Sequence, residues 1–160
     1  MQYIFNIVCK NFLLLMLALN AHYALANEHR IGLSLGGGSL TYGFAHLSYD
    51  QIGILPHKNW SIGLEVGGFL GGFLIAPRAL YWEKASNMSG WYIGPKVVFG
   101  HANYLNYNTS FIALGGEGGW SYRFIEGPKG LDLGGGIDLY ATNHGVWGTI
   151  KFTVGFLLPK

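Results

Sequence analysis

Phe111–Phe124 reads FIALGGEGGWSYRF, and taken two residues at a time it separates into sets of opposite character. Ile112, Leu114, Gly116, Gly118, Trp120, Tyr122 and Phe124 are an apolar set ending in an aromatic cluster. Phe111, Ala113, Gly115, Glu117, Gly119, Ser121 and Arg123 are mostly small or polar, with one charge of each sign. A strand sends alternate side chains to opposite faces, so the two sets meet different surroundings. The polar face of a sheet in water usually carries long side chains; Gly, Ala and Ser suit a crowded concave surface instead. An oily exterior with an aromatic end and a small, polar interior is the pattern of a membrane-spanning barrel strand.

The N-terminus fits such a destination. Lys10 precedes a run from Asn11 to Leu19 dominated by Phe, Leu and Met, followed by Ala24-Leu25-Ala26. A basic residue, a short apolar core and an A-x-A site describe a secretory signal peptide, and the run is short for a transmembrane helix. Cleavage after Ala26 divides the chain into a signal peptide, 1–26, and a barrel, 27–160. The sole cysteine, Cys9, falls in the removed segment, so no disulfide or thiol chemistry is expected of the rest.

Composition narrows the options further. Without Lys10, nine Lys and Arg face eight Asp and Glu, which leaves no basic surface for nucleic acid. Charged residues make up only 11% of the chain, against about a quarter in soluble domains. Yet no stretch after residue 26 is continuously apolar for the length of a helical span. A chain rich in Gly and aromatics, poor in charge and without a spanning helix is best accommodated by a closed barrel.

Period-two alternation continues through Arg30–Gly36, Leu40–Tyr49, Trp60–Phe69, Phe73–Trp82, Trp91–His101, Leu131–Ala141 and Val146–Leu157. With 111–124 these predict eight strands, each close to the ~9–11 residues that a tilted spanning strand needs. In the second segment Leu40, Tyr42 and Phe44 alternate against Thr41, Gly43 and Ala45. Pro77 weakens the fourth as a central ladder member. Gly36–Ser39 is read as a tight reversal; otherwise Arg30–Tyr49 is one long strand and the count falls to seven. The other connections are Asp50–Asn59, Phe69–Gly72, Lys84–Gly90, Ala102–Thr109, Glu126–Gly130 and Thr142–Gly145. The expected fold is all-β, an eight-stranded antiparallel up-and-down transmembrane barrel with both ends in the periplasm.

Glu65, Arg78, Lys96, Glu117, Arg123, Asp132, Asp138 and Lys151 fall on the inner face, four acids and four bases. An unpaired buried charge is costly, and an eight-stranded barrel is only just wide enough to hold side chains. These residues are therefore expected to pair and fill the lumen, with a narrow channel as the alternative. Trp60, Tyr81, Trp91, Trp120, Tyr122 and Phe124 fall near strand ends beside short turns. Amphipathic rings favour the membrane–water boundary, so these six are expected to form an aromatic girdle.

Enzymatic and metal readings are weaker. His46-Leu47-Ser48 puts a base and a nucleophile on one face of a strand. In this it resembles the outer-membrane lipid A deacylases, whose motif has His, a one-residue gap and Ser, with a Glu further on. Tyr49 stands where that motif has Asn, and Glu65, the nearest suitable acid, is assigned to the inner face. The six histidines show no i, i+2 or i, i+4 pair, so no metal site is expected, nor any cofactor. Gly115-Gly116 and Gly134–Gly136 are not followed by helical patterns, as phosphate loops require.

The succession RIGLSLGGGSLTYGF, NWSIGLEVGG, PRALYW, GWYIGPKVVFG, LGGEGGWSYRF and GLDLGGGIDLY resembles the small outer-membrane β-barrel families of Gram-negative bacteria. In particular it resembles those of uncharacterised function with a repeated glycine–aromatic strand signature. The resemblance implies outer-membrane lipid and the barrel-assembly machinery as partners, a monomer, and a structural or interaction role in the cell envelope. Many such proteins end on an aromatic residue read by that machinery, whereas here Leu157-Leu158-Pro159-Lys160 follows Phe156.

Overall fold

The computed structural model describes residues 28–38, 44–52, 59–69, 71–104, 107–124, 130–142 and 145–158. The signal-peptide assignment falls outside them. Eight antiparallel strands close into a barrel in sequence order. They are β1 (Glu28–Gly38), β2 (Phe44–Ile52), β3 (Trp60–Phe69), β4 (Gly72–Lys84), β5 (Ser89–Tyr104), β6 (Tyr107–Arg123), β7 (Leu131–Thr142) and β8 (Gly145–Leu158). Pairing of β1 with β8, from His29 opposite Leu158 to Gly38 opposite Thr149, shuts the cylinder and removes both sheet edges.

The two faces of each strand separate by period two. Leu33, Leu35, Ile93, Ile112, Leu114, Ile137, Leu139, Ile150 and Phe152 are exposed on the outer surface. Buried between them are Ser34, Glu65, Arg78, Lys96, Glu117, Asp138 and Lys151. This is the inverse of a protein folded in water.

Four local expectations need correction. β1 and β2 do form a hairpin, but Gly36, Gly37 and Gly38 belong to the strand, each opposite a β8 residue. A Cβ at Gly36 or Gly38 would overlap the β8 carbonyl oxygens of Ile150 or Gly148, so glycine permits close strand approach here rather than a turn. Within the expected loop Ala102–Thr109, residues 102–104 and 107–109 continue the β5–β6 ladder, with Ala102 opposite Thr109 and Tyr104 opposite Tyr107, and 105–106 lie outside the described residues. Asp50 is likewise strand rather than turn, opposite Arg30 on β1.

The fourth correction is the facing of β2. Phe44, His46 and Ser48 are buried inside, while Ala45 and Leu47 are exposed outside; Leu40–Gly43 lie outside the described residues. The lumen accepts Phe44 because its ring stacks on His46, centroids 4.2 Å apart, in the room left by Gly36. Pro77 is tolerated within β4 for a separate reason. The described β4–β5 pairing skips both Pro77 and Pro95, as a missing N–H requires, while Leu64 opposite Pro77 and Gly116 opposite Pro95 keep the ladders on their other sides.

Candidate functional site

The inner face of the barrel is organised in three layers, visible along single strands. On β4, Leu74 and Ala76 come before Arg78, and Leu80 and Trp82 follow it. On β5, Tyr92 and Val98 flank Lys96. The upper apolar layer, toward Tyr104 and Tyr107, joins Leu74, Ala76, Val98, Ala113 and Tyr140, with Phe111 and Trp147 packed against it. The lower layer, at the rim of the described chain ends, joins Ile52, Leu80, Trp82, Met88, Tyr92 and Leu157. Met88 reaches it from the short turn after Ala85–Asn87, where its left-handed backbone (φ 45°) directs a completely buried side chain inward.

Between these layers lies the charge. Arg78 Nε and NH2 donate to Asp50 at 3.0 and 2.7 Å, and NH1 donates to Glu65 at 2.9 Å and to both oxygens of Glu117. Lys96 Nζ contacts Glu65 at 2.8 Å, Asp138 at 3.2 Å and Glu117 at 3.4 Å. Lys151 Nζ contacts the same three carboxylates, at 3.3 Å from Glu65, 2.6 Å from Glu117 and 3.3 Å from Asp138. Tyr140 and Thr149 donate to Asp138 Oδ2, the oxygen that Lys96 also contacts. A second group lies toward the lower rim, where Arg30 forks onto Asp132, Ser121 donates to the same carboxylate, and Arg30 NH1 sits 3.7 Å from Asp50.

The geometry therefore brings Glu65, Arg78, Lys96, Glu117, Asp138 and Lys151 together and places Asp132 in the adjoining group. Arg123 stands apart, half-buried at the end of β6. It is opposite Asp132 in register, the carboxylate that Arg30 and Ser121 bind, and it acts electrostatically on Glu28. Arg30, Asp50 and His46 are network members absent from the sequence-derived set. The alternation Arg30, Gly32, Ser34 already marks Arg30 as inward; Asp50 was hidden by the turn-like segment after it.

His46 Nδ1 lies 2.6 Å from Glu65 Oε1, and Nε2 is buried without a hydrogen-bond partner among the described residues. Ser48 donates to the Gly32 carbonyl. All three side chains are at most 2% exposed, so the His–Ser pair and its acid sit on one inner face, shut away from any lipid outside. Among the described residues no group of three or more His, Cys, Asp or Glu is arranged to hold a metal ion.

On the outer surface at the lower rim, aromatic rings run across four strands. Trp60 meets Tyr81 edge-on at 5.8 Å, and Tyr81 meets Trp91 at 5.4 Å. Trp91 is opposite Trp120 in register, and Tyr122 meets Phe124 at 5.0 Å. Asn59 donates to the Tyr81 hydroxyl.

No protein-family model matches the chain, and no curated protein matches it. Among solved structures it is similar to the N-terminal β-barrel domain of Pseudomonas aeruginosa OprF. The two superpose with a TM-score of 0.62 over 83% of this chain and 98% of that one, at 13% identity. That likeness shows the fold, an eight-stranded closed barrel of the outer-membrane type.

Proposed function

We propose that this protein is a small structural barrel of a Gram-negative outer membrane, exported by residues 1–26 and surrounded by lipid as a monomer. Its role is to stabilise or organise the envelope rather than to pass solutes. The observation that carries this reading is the layered lumen: a paired charge layer closed above and below by packed apolar side chains. An ion crossing it would have to enter apolar packing and then displace several buried pairs, and each step is costly. The outer-membrane setting is supported by the apolar outer surface and by the likeness to an outer-membrane domain. The exposed rings at the lower rim support it as well, since amphipathic aromatic side chains favour a membrane–water boundary.

The test is to reconstitute the purified chain in planar bilayers, with insertion verified by heat-modifiable migration on gels. Inserted barrels should be electrically silent over several hundred millivolts. Reproducible single-channel steps, altered by Glu117→Ala or Lys151→Ala, would establish the channel reading instead.

A further inference from the structure

We propose that the lumen is a proton-binding site, in which His46 is held as an imidazolium and completes the buried charge network as its fifth cation. Among the described residues that network joins five carboxylates, Asp50, Glu65, Glu117, Asp132 and Asp138, to four cations, Arg30, Arg78, Lys96 and Lys151. All nine side chains are buried. Arg30 and Asp132 balance each other, which leaves three cations for the other four acids. Packed apolar layers close the region on both sides, so solvent does little to offset the remaining negative charge. An uncompensated charge in such a place is strongly unfavourable.

The geometry singles out where the balancing proton sits. Asp50, Glu117, Asp132 and Asp138 are surrounded by arginine, lysine and hydroxyl donors, one of which a proton added there would have to displace. Glu65 differs, because its Oε1 lies 2.6 Å from His46 Nδ1. That contact already requires one proton between the two atoms. A second proton on the pair falls on Nε2, whichever end of the bridge keeps the first. Nε2 is buried with no hydrogen-bond partner among the described residues, so a proton there displaces no existing contact. Arg78, Lys96 and Lys151 all contact Glu65, and three cations favour the form with an ionised carboxylate and an imidazolium.

The groups around the ring are consistent with that charge. β3 presents Glu65 and Gly67, β1 presents Ser34, whose hydroxyl is bonded to Thr153 of β8, and Phe44 of β2 stacks on the imidazole. Arg78 from β4, Lys96 from β5 and Lys151 from β8 act on it through Glu65. Arg78 is shared with Asp50 and Glu117, and both lysines are shared with Glu117 and Asp138. Together the three cations do not exceed the negative charge that they serve.

The test is NMR of the full chain folded in micelles with ¹⁵N-labelled histidine, recorded at about pH 7.5, where an ordinary imidazole is mostly uncharged. The His46 signals are assigned by their disappearance in His46→Gln. Both ring nitrogens of His46 should carry a proton. A bare Nε2 in the folded wild-type chain would overturn the proposal. Asp138→Asn touches no contact of His46 but equalises acids and cations, so the Nε2 proton should be lost at the same pH. Adding Lys151→Met to Asp138→Asn restores the deficit and should return it. A folded Asp138→Asn barrel that keeps the proton would show that the network's charge does not hold it, and would overturn the proposal as well. Should that variant not fold, Asp132→Asn makes the same change in charge at the other end of the network and is read the same way. The spectra do not depend on conductance, so the structural-barrel reading is left to its own bilayer test.

Discussion

Arg78 and Asp50 face each other across the lumen in a two-point contact, Nε to Oδ1 at 3.0 Å and NH2 to Oδ2 at 2.7 Å. The third nitrogen of the same guanidinium spans Glu65 and Glu117. One planar cation therefore holds three carboxylates from β2, β3 and β6, a geometry that a lysine point charge cannot reproduce. Arg78→Met leaves those carboxylates under-compensated in a buried site and is expected to cost about 3–5 kcal/mol. Urea unfolding of the folded barrel should show it as a lower midpoint. Arg78→Lys should fall between, and adding Asp50→Asn to Arg78→Met should recover part of the loss. An unchanged midpoint in Arg78→Met would mean that the network contributes nothing to holding the strands together.

The glycines divide into two classes with opposite tolerance. At Gly94, inside β5, a Cβ would overlap the carbonyl oxygen of Ala79 on β4, where only backbone could move. At Gly116, on the outer face of β6, the nearest atom to an added Cβ is the Gly94 carbonyl oxygen at 3.4 Å. Gly94→Ala should therefore destabilise by about 1–3 kcal/mol, as overpacking does, and Gly116→Ala by much less. Thermal shifts of the gel-resolved folded band compare the two directly. Equal effects would remove the inner–outer distinction on which the strand packing is argued.

Most of the barrel was legible in the sequence because two solvents impose one period. Where small or charged residues alternate with large apolar ones, as from Ile112 to Phe124, facing and strand extent both follow. β2 defeated the same reading because its apolar residues change parity midway, from Phe44 to Leu47 and Tyr49. Only the tertiary fit of Phe44 over His46 decides which parity wins. The inner charges at mid-strand were legible for the same reason as the strands. The partner of each was not, since Arg30 and Asp132 are 102 residues apart and meet only once the cylinder closes. Arg123 shows the limit: its register opposite Asp132 was readable, but not that Arg30 from β1 would fork onto that carboxylate.

If the outer rings mark a membrane boundary, the tryptophans should report two depths of contact. Trp91 and Trp120 are 41% and 54% exposed on the outer surface, whereas Trp82 is 1% exposed, donating its indole N–H to Ser61 inside the lumen. In single-tryptophan variants reconstituted in lipid, Trp91 and Trp120 fluorescence should be quenched most by lipids labelled near the headgroup. Trp82 should respond little to a label at any depth. Strongest quenching of Trp91 by labels at the bilayer centre would move the boundary away from this rim.

The facing of β2 can be settled by two neighbouring positions. Leu47 is 57% exposed on the outer surface, opposite Leu33 and Val66, whereas His46 is 2% exposed against Glu65. With Cys9 in the segment expected to be removed, an introduced cysteine would be the only thiol. Leu47→Cys should react with a membrane-soluble maleimide, and His46→Cys should not until the barrel is unfolded. Leu47→Arg, which sets a charge against hydrocarbon, should cost about 2–4 kcal/mol if the site lies near the bilayer midplane. Labelling of His46→Cys with Leu47→Cys protected would restore the opposite parity. It would also return His46 and Ser48 to the outer surface, where lipid could reach them.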